Sequence, residues 1–286
     1  MLLSLGAPWA AAEEPGDGTI PSEEIPAAAE TAGAERSEPA AEEEELELQA
    51  NLGSFYTDDF SCTILTEDTV SVIPKDRTLA EFTIPEQITY ENVVYTVTEV
   101  SFSGCLGITS FVGDSLPDTV NAVDFYGCTY LTEVVLPETV TTLEGNCFSG
   151  CTSLTRVEMP GVTAIGMSAF RNCTALTEIT LPAGVTSIGN SCFYGCTRLE
   201  RADLSVCTAL TEIGSSMFSG CTALEWAALP DGLTALPGYT FYGCSSLTQV
   251  DMGNTVTAIS TDDFWNCTAL ESIELSDTVE EIGQYA

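Results

Sequence analysis

From residue 97 onward the apolar and polar positions fall into a register that recurs along the chain. In the unit that begins at Leu154, LTRVEMPGVTAIGMSAFRNC, apolar side chains stand at Leu154, Val157 and Met159, then at Val162 and Ile165, then at Ala169 and Phe170, before Cys173 closes it. The step from Val157 to Met159 is the two-residue period of a strand whose alternate side chains face one side, so a short strand with Val157 and Met159 pointing into a core is predicted here. Pro160 follows at once, as Pro117, Pro137, Pro182 and Pro230 do in their own units. A residue without an N–H stops the strand from lengthening. Val162 and Ile165 then turn the chain around the core, and Phe170 closes the coil.

The pattern Phe-x-(Gly/Asn)-Cys occurs with Phe at positions 102, 125, 148, 170, 193, 218, 241 and 264, at spacings of 23, 23, 22, 23, 25, 23 and 23 residues. A period of this length, with Leu, then an apolar residue three on and another two on, is the leucine-rich repeat form. The expected fold is a leucine-rich repeat solenoid, an α/β repeat with a curved parallel sheet of short strands on its concave side and turns and short helical turns on its convex side. About six apolar side chains per coil, each contributing roughly 1.5–3 kcal/mol on full burial, suffice only when neighbouring coils cover both faces.

Two columns carry specific expectations. The residue before each Cys is Gly104, Gly127, Gly150, Gly195, Gly220 or Gly243, and otherwise Asn172 or Asn266. Gly and Asn are the residues that accept positive φ, so this column is a left-handed turn. The same reading covers Asn172-Cys-Thr and Asn266-Cys-Thr, which match a glycosylation acceptor pattern but are poor acceptors in a tight turn. Of the 12 Cys, those at 105, 128, 151, 173, 196, 221, 244 and 267 share one position. They are expected to stack as a ladder of buried reduced thiols about 5 Å apart, with pairing of some neighbours as the alternative, although parallel Cβ vectors disfavour it. Cys147/Cys151 and Cys192/Cys196 lack the spacing of zinc knuckles, so no metal and no other cofactor is expected.

Four regions follow. Residues 1–12, MLLSLGAPWAAA, read as a signal peptide lacking its basic start, and 13–50 as a disordered acidic linker of Glu, Ala and Pro. Residues 51–100 reproduce some repeat columns irregularly and are expected to cap the solenoid. Residues 101–286 are the repeats; Val279 and Ile282 are in register and the pattern stops in mid-coil, so a longer natural protein is expected. No stretch reaches the roughly 18–20 apolar residues of a membrane span.

Charge narrows the partners. The 286 residues hold 43 Asp or Glu against 7 Lys or Arg and no His, a formal charge of −36, of which −12 lies in residues 1–50 and −24 in the remainder. Such a surface repels phosphate backbones and anionic membranes. Without imidazole, Ser-His-Asp and Cys-His nucleophile systems are excluded. Carboxylates on adjacent rungs, such as Glu158 and Glu178, are the remaining route to glycoside hydrolysis, but an open sheet gives no pocket to raise one pKa and exclude water. Asp58-Asp59 and Asp262-Asp263 lack a calcium-loop spacing. A non-enzyme is expected.

The unit LPxxVTxIGxxAFxGCTxL resembles the BspA-like leucine-rich repeat proteins, surface antigens of anaerobic bacteria and some parasitic protists, over roughly residues 80–286. The resemblance implies a secreted or surface-attached, non-catalytic protein that binds host matrix, plasma or mucosal proteins or other microbial surfaces. Glycans are further candidate partners, and a docking or glycan-binding module of a larger secreted enzyme is the alternative.

Residues between the core positions of each strand face outward. One such column is Glu133, Arg156, Glu178, Arg201, Trp226, Gln249 and Ser272; its neighbour includes Glu158, Asp203 and Asp251. These columns vary in charge and size from coil to coil while the core columns hardly change. Glu133, Arg156, Glu158, Glu178, Arg201, Asp203, Trp226, Gln249 and Asp251 are therefore the candidate binding residues, with Trp226 an outward aromatic of the kind that anchors interfaces.

Overall fold

The structure is a computed structural model that describes residues 53–286. The expected signal peptide at 1–12 and the acidic linker at 13–50 lie outside the described residues, as do 51 and 52.

Most coils contribute two short strands. The first set comprises Ser110–Val112, Glu133–Val135 and Arg156–Glu158, paired parallel, and then Glu178–Thr180, Arg201–Asp203, Trp226–Ala228 and Gln249–Asp251, also parallel. Their register places Glu133 opposite Arg156, and Glu178, Arg201, Trp226 and Gln249 side by side. The middle residues Val134, Val157, Ile179, Ala202, Ala227 and Val250 are buried, as the two-residue period requires. A second parallel set follows the proline turn: Thr142–Leu143, Ala164–Ile165 and Ser187–Ile188, then Ala235–Leu236, Ala258–Ile259 and Glu281–Ile282. The sequence pattern there suggested only a change of direction; two residues per strand are too few to show a period.

The expected helical turns on the convex side are absent from the described residues, where the one helix is the 3-10 turn Gly113–Ser115. The fold is a β-solenoid of stacked parallel strands and turns. The reason lies in where the backbone donors go. Around each core Phe the amides reach sideways to the next coil: Phe125 N–H to the Cys147 carbonyl at 2.7 Å, Phe148 to Ala169 at 2.7 Å, Phe170 to Cys192 at 2.9 Å. Donors used between coils are not available for bonds along a helix. Left-handed residues also flank the Phe at both sides, Ser168 at φ 57° and Asn172 at φ 58°, leaving no room for a helical turn between them.

Eight phenyl rings, from Phe102 to Phe264, form a continuous spine with centroid steps of 5.1–5.6 Å and interplanar angles of 7–18°. Near-parallel rings this far apart are offset, which is the favoured arrangement for their quadrupoles. Beside the spine runs the thiol ladder. All 12 Cys are free and buried. Seven of them do more than fill space, because each Sγ–H donates to the Phe carbonyl of the preceding coil at 3.0–3.2 Å, from Cys128 to Phe102 through Cys267 to Phe241. Burial pushes these thiols up, Cys128, Cys196 and Cys267 to about 12, so they keep the proton that the bond needs.

Threonine hydroxyls tie the coil edges in the same way. Thr132 donates to the Thr109 carbonyl at 2.7 Å, Thr155 to Thr132 at 2.9 Å, and Thr186 to Thr163 at 3.1 Å. The Gly/Asn column takes positive φ at every coil, from Gly104 at 66° to Asn266 at 61°. At residues 53–101 the chain forms a mixed sheet in the order Ser54–Tyr56, Phe60–Ile64, Thr69–Pro74, Val93–Ser101, Gln87–Tyr90. Glu91 and Asn92, both at positive φ, make the tight turn of its last hairpin. Strand Val93–Ser101 also pairs parallel with Ala122–Asp124, so this sheet continues directly into the coils.

Candidate functional site

The outward residues of the first strand set separate into two groups. In the first, Arg156 forms ion pairs with Glu133 on the preceding coil and Glu158 on its own strand. Hydrogen bonding to Glu133 and the charge of Glu158 hold its guanidinium pKa above the ordinary value. All three side chains remain well exposed, at 57%, 43% and 45%, so the triad is a solvated surface network whose contribution to stability is small.

In the second group, the Arg201 guanidinium lies 4.4 Å from the ring centroid of Trp226 on the next coil. This is a cation–π contact. Among the described residues no carboxylate lies within 4.0 Å of Arg201, the two ion pairs both belonging to Arg156. Glu178 precedes Arg201 in register and Gln249 follows Trp226, both exposed. Asp203 and Asp251 have a local task as well. Asp203 accepts from the Ser205 amide at 3.1 Å and its hydroxyl at 2.6 Å, and Asp251 from the Gly253 amide at 3.1 Å, which shapes the turn that leaves each strand. Ala228, between those two acids in register, is only 3% exposed and offers little to a partner. Ser272 lies beyond the last strand of the set, Gln249–Asp251.

The two groups are separated where strand Arg156–Glu158 has no ladder to Glu178–Thr180. An open groove of about 460 Å³ runs there, lined by residues 157–160 and 180–183 with Met159, Pro160, Leu181 and Pro182 among them. The single 22-residue spacing, Phe148 to Phe170, falls in this coil, where the turn from Pro160 to Val162 is one residue shorter than that from Pro182 to Val185. Its floor is shallow and apolar, and Glu158 on its rim is already paired with Arg156.

A family model described as the BspA type leucine rich repeat region, in 6 copies, matches residues 95–208 and 203–286. The chain belongs to this family. No curated protein sequence matches it. Among solved structures, a T. pallidum leucine rich repeat protein, TpLRR, is 25% identical at a TM-score of 0.55, over 76% of this chain and 91% of that one. A leucine rich cell surface protein of Faecalibacterium prausnitzii A2-165 is 18% identical at a TM-score of 0.42, over 82% and 95%. The pneumococcal vaccine antigen PcpA is 16% identical at a TM-score of 0.44, over 81% and 78%.

Among the described residues no helix is long and apolar enough to cross a membrane, and no group of His, Cys, Asp or Glu has metal-site geometry. The columns singled out in the sequence share one face within each strand group, and the structure adds which charges are already engaged and which are not.

Proposed function

We propose that this BspA-type protein is a secreted or surface-attached interaction protein that holds a macromolecular partner against the outward face of its first strand set, centred on Arg201 and Trp226. The observation that carries this reading is the stack itself: a half-buried Trp226 with an arginine laid 4.4 Å over its ring, both on consecutive strands of a regular ladder. Trp and Arg are the residue types on which interface energy concentrates. The ladder fixes their spacing in advance, so little ordering is left for binding to impose. A formal charge of −36 selects a protein partner with basic patches, which approaches such a surface faster than an acidic one. The apolar residues 1–12 support export, and the sheet at residues 53–101 is read as the cap that covers the first coil.

The test is an array of matrix, plasma and mucosal proteins probed with the full chain and with a Trp226→Ala/Arg201→Ala variant. Loss of a hot spot of about 2 kcal/mol weakens capture roughly 30-fold, with the thermal midpoint unchanged because both side chains reach solvent. Equal capture by the variant overturns the site.

A further inference from the structure

A second surface, away from the strand face, carries its own signal. Tyr239, Tyr242, Trp265 and Tyr285 are exposed by 44%, 38%, 46% and 67% on the turns that flank the last core Phe residues. Tyr239 and Tyr242 have ring centroids 5.8 Å apart, and Trp265 meets Tyr285 edge to face at 5.5 Å. Tyr242 and Trp265 hold the same position in consecutive coils, whose backbones bond directly through the Gly243 amide and the Trp265 carbonyl at 2.8 Å. The four rings thus follow the solenoid axis along one edge.

Two of these tyrosines sit where the backbone disfavours them. Tyr239 and Tyr285 have φ of 65° and 56°, in a column that elsewhere holds Asn146, Ser168, Ser191, Ser216 and Asp262, all with φ between 57° and 65°. A small or Asx residue suits the left-handed region, whereas a bulky aromatic there is strained. Strain kept at an exposed position points to binding.

We propose that this aromatic edge is a platform for an uncharged polysaccharide. The apolar C–H face of a pyranose carries slight positive charge and stacks on the negative face of an aromatic ring. The core Phe rings of these coils step by 5.4–5.6 Å and paired strands by about 4.8 Å, close to the length one sugar ring adds to an extended chain, so successive sugars meet successive coils. Tyr hydroxyls and the Trp indole N–H at the ring edges serve the sugar hydroxyls. Charge separates this ligand from its competitors. Net acidity repels sulfated and sialylated glycans. The Asp262 carboxylate accepts the Tyr239 hydroxyl and, through that bond and its charge, holds the phenol above its ordinary pKa, while Asp263 is fully buried.

The test is electrophoresis of the full chain through native gels cast with hydroxyethylcellulose, galactomannan or cereal β-glucan, with heparin as an anionic control. At least one neutral gel retards the native chain and heparin does not. Tyr242→Ala/Trp265→Ala raises the dissociation constant at least about tenfold, while Trp226→Ala leaves it unchanged, which separates this edge from the strand face. Tyr239→Asn relieves the strained turn, so it raises the thermal midpoint and weakens retardation together, a pairing that a purely structural tyrosine does not give. Retardation in none of the neutral gels, full retardation of the double variant, or a Tyr239→Asn chain that is stabilised but binds as before overturns the proposal.

Discussion

Replacing Phe170 by Ala tests the claim that the ring spine is the continuous element of the core. Phe170 is fully buried and stacked on both sides, 5.1 Å from Phe148 and 5.2 Å from Phe193. Truncating a buried Phe costs about 3–5 kcal/mol in lost transfer energy and residual cavity, and each stacked pair adds about 0.5–1.5 kcal/mol beyond area. The coils on either side are pinned by backbone ladders and cannot collapse into the space, which places the loss at about 4–5 kcal/mol. Phe264 is the internal control. It is only partly buried and has one ring neighbour, Phe241 at 5.4 Å, so its truncation costs about 2 kcal/mol. Urea unfolding followed by far-ultraviolet circular dichroism reads the difference. With a slope of roughly 3 kcal/mol/M the Phe170→Ala midpoint falls by about 1.3 M or more. Because coils touch only their neighbours, the lesion at Phe170 also broadens or splits the transition. A loss at Phe170 below about 1.5 kcal/mol, or one equal to that at Phe264, refutes the reasoning.

Further outcomes follow from the buried polar groups and the turns. Asp263 accepts the Thr240 amide at 2.9 Å and the Ser260 amide at 2.6 Å, yet burial outweighs these bonds and raises its pKa from 3.8 to about 6. The folded chain then binds this proton more tightly than the unfolded chain, so the stabilisation is complete below about pH 4 and is lost as pH rises through about 6, an effect of order 2–3 kcal/mol. Thermal midpoints at acidic and neutral pH should differ less in Asp263→Asn than in the native chain, and an identical pH profile contradicts the assignment. With every Cys buried and free, an excess of iodoacetamide at mildly alkaline pH should add no label to the native chain and 12 labels in denaturant without reductant; rapid native labelling or fewer than 12 labels speaks against the thiol ladder. A Cβ at Gly189 would lie 2.5 Å from the Met167 amide nitrogen, whereas one at Gly127 meets nothing within 4 Å. Gly189→Ala should therefore destabilise by several kcal/mol and Gly127→Ala by only about 1 kcal/mol from its positive φ, as urea midpoints will show.

What could be read in the sequence depended on whether a column demands one residue type. Phe, Cys and Gly or Asn recur at their positions because an offset stack, a thiol-to-carbonyl bond and a left-handed turn each admit few alternatives. The family, the period and the turn column were legible for that reason. The second left-handed column is not legible because its members share a backbone state while their side chains range from Ser168 and Ser191 through Asn146 and Asp262 to Tyr239. The helical turns were wrongly expected because periodicity locates apolar residues without saying whether amides bond along the chain or across coils. The Cys column reads in sequence as a ladder of buried thiols, and its donor role becomes visible only with Cys196 placed 3.1 Å from the Phe170 carbonyl. Of the outward residues, Arg156 and Arg201 look alike in sequence; structure distinguishes the arginine neutralised by Glu133 and Glu158 from the one stacked on Trp226.

The central claim is that partners dock on the strand face at Arg201 and Trp226. Hydroxyl-radical footprinting of the full chain, free and saturated with a protein partner captured on the array, tests it at single residues, since Trp226 and Trp265 report the two surfaces separately. The account predicts that oxidation of Trp226 falls severalfold in the complex while that of Trp265 is unchanged. Equal oxidation of Trp226 in the free and bound chain contradicts it.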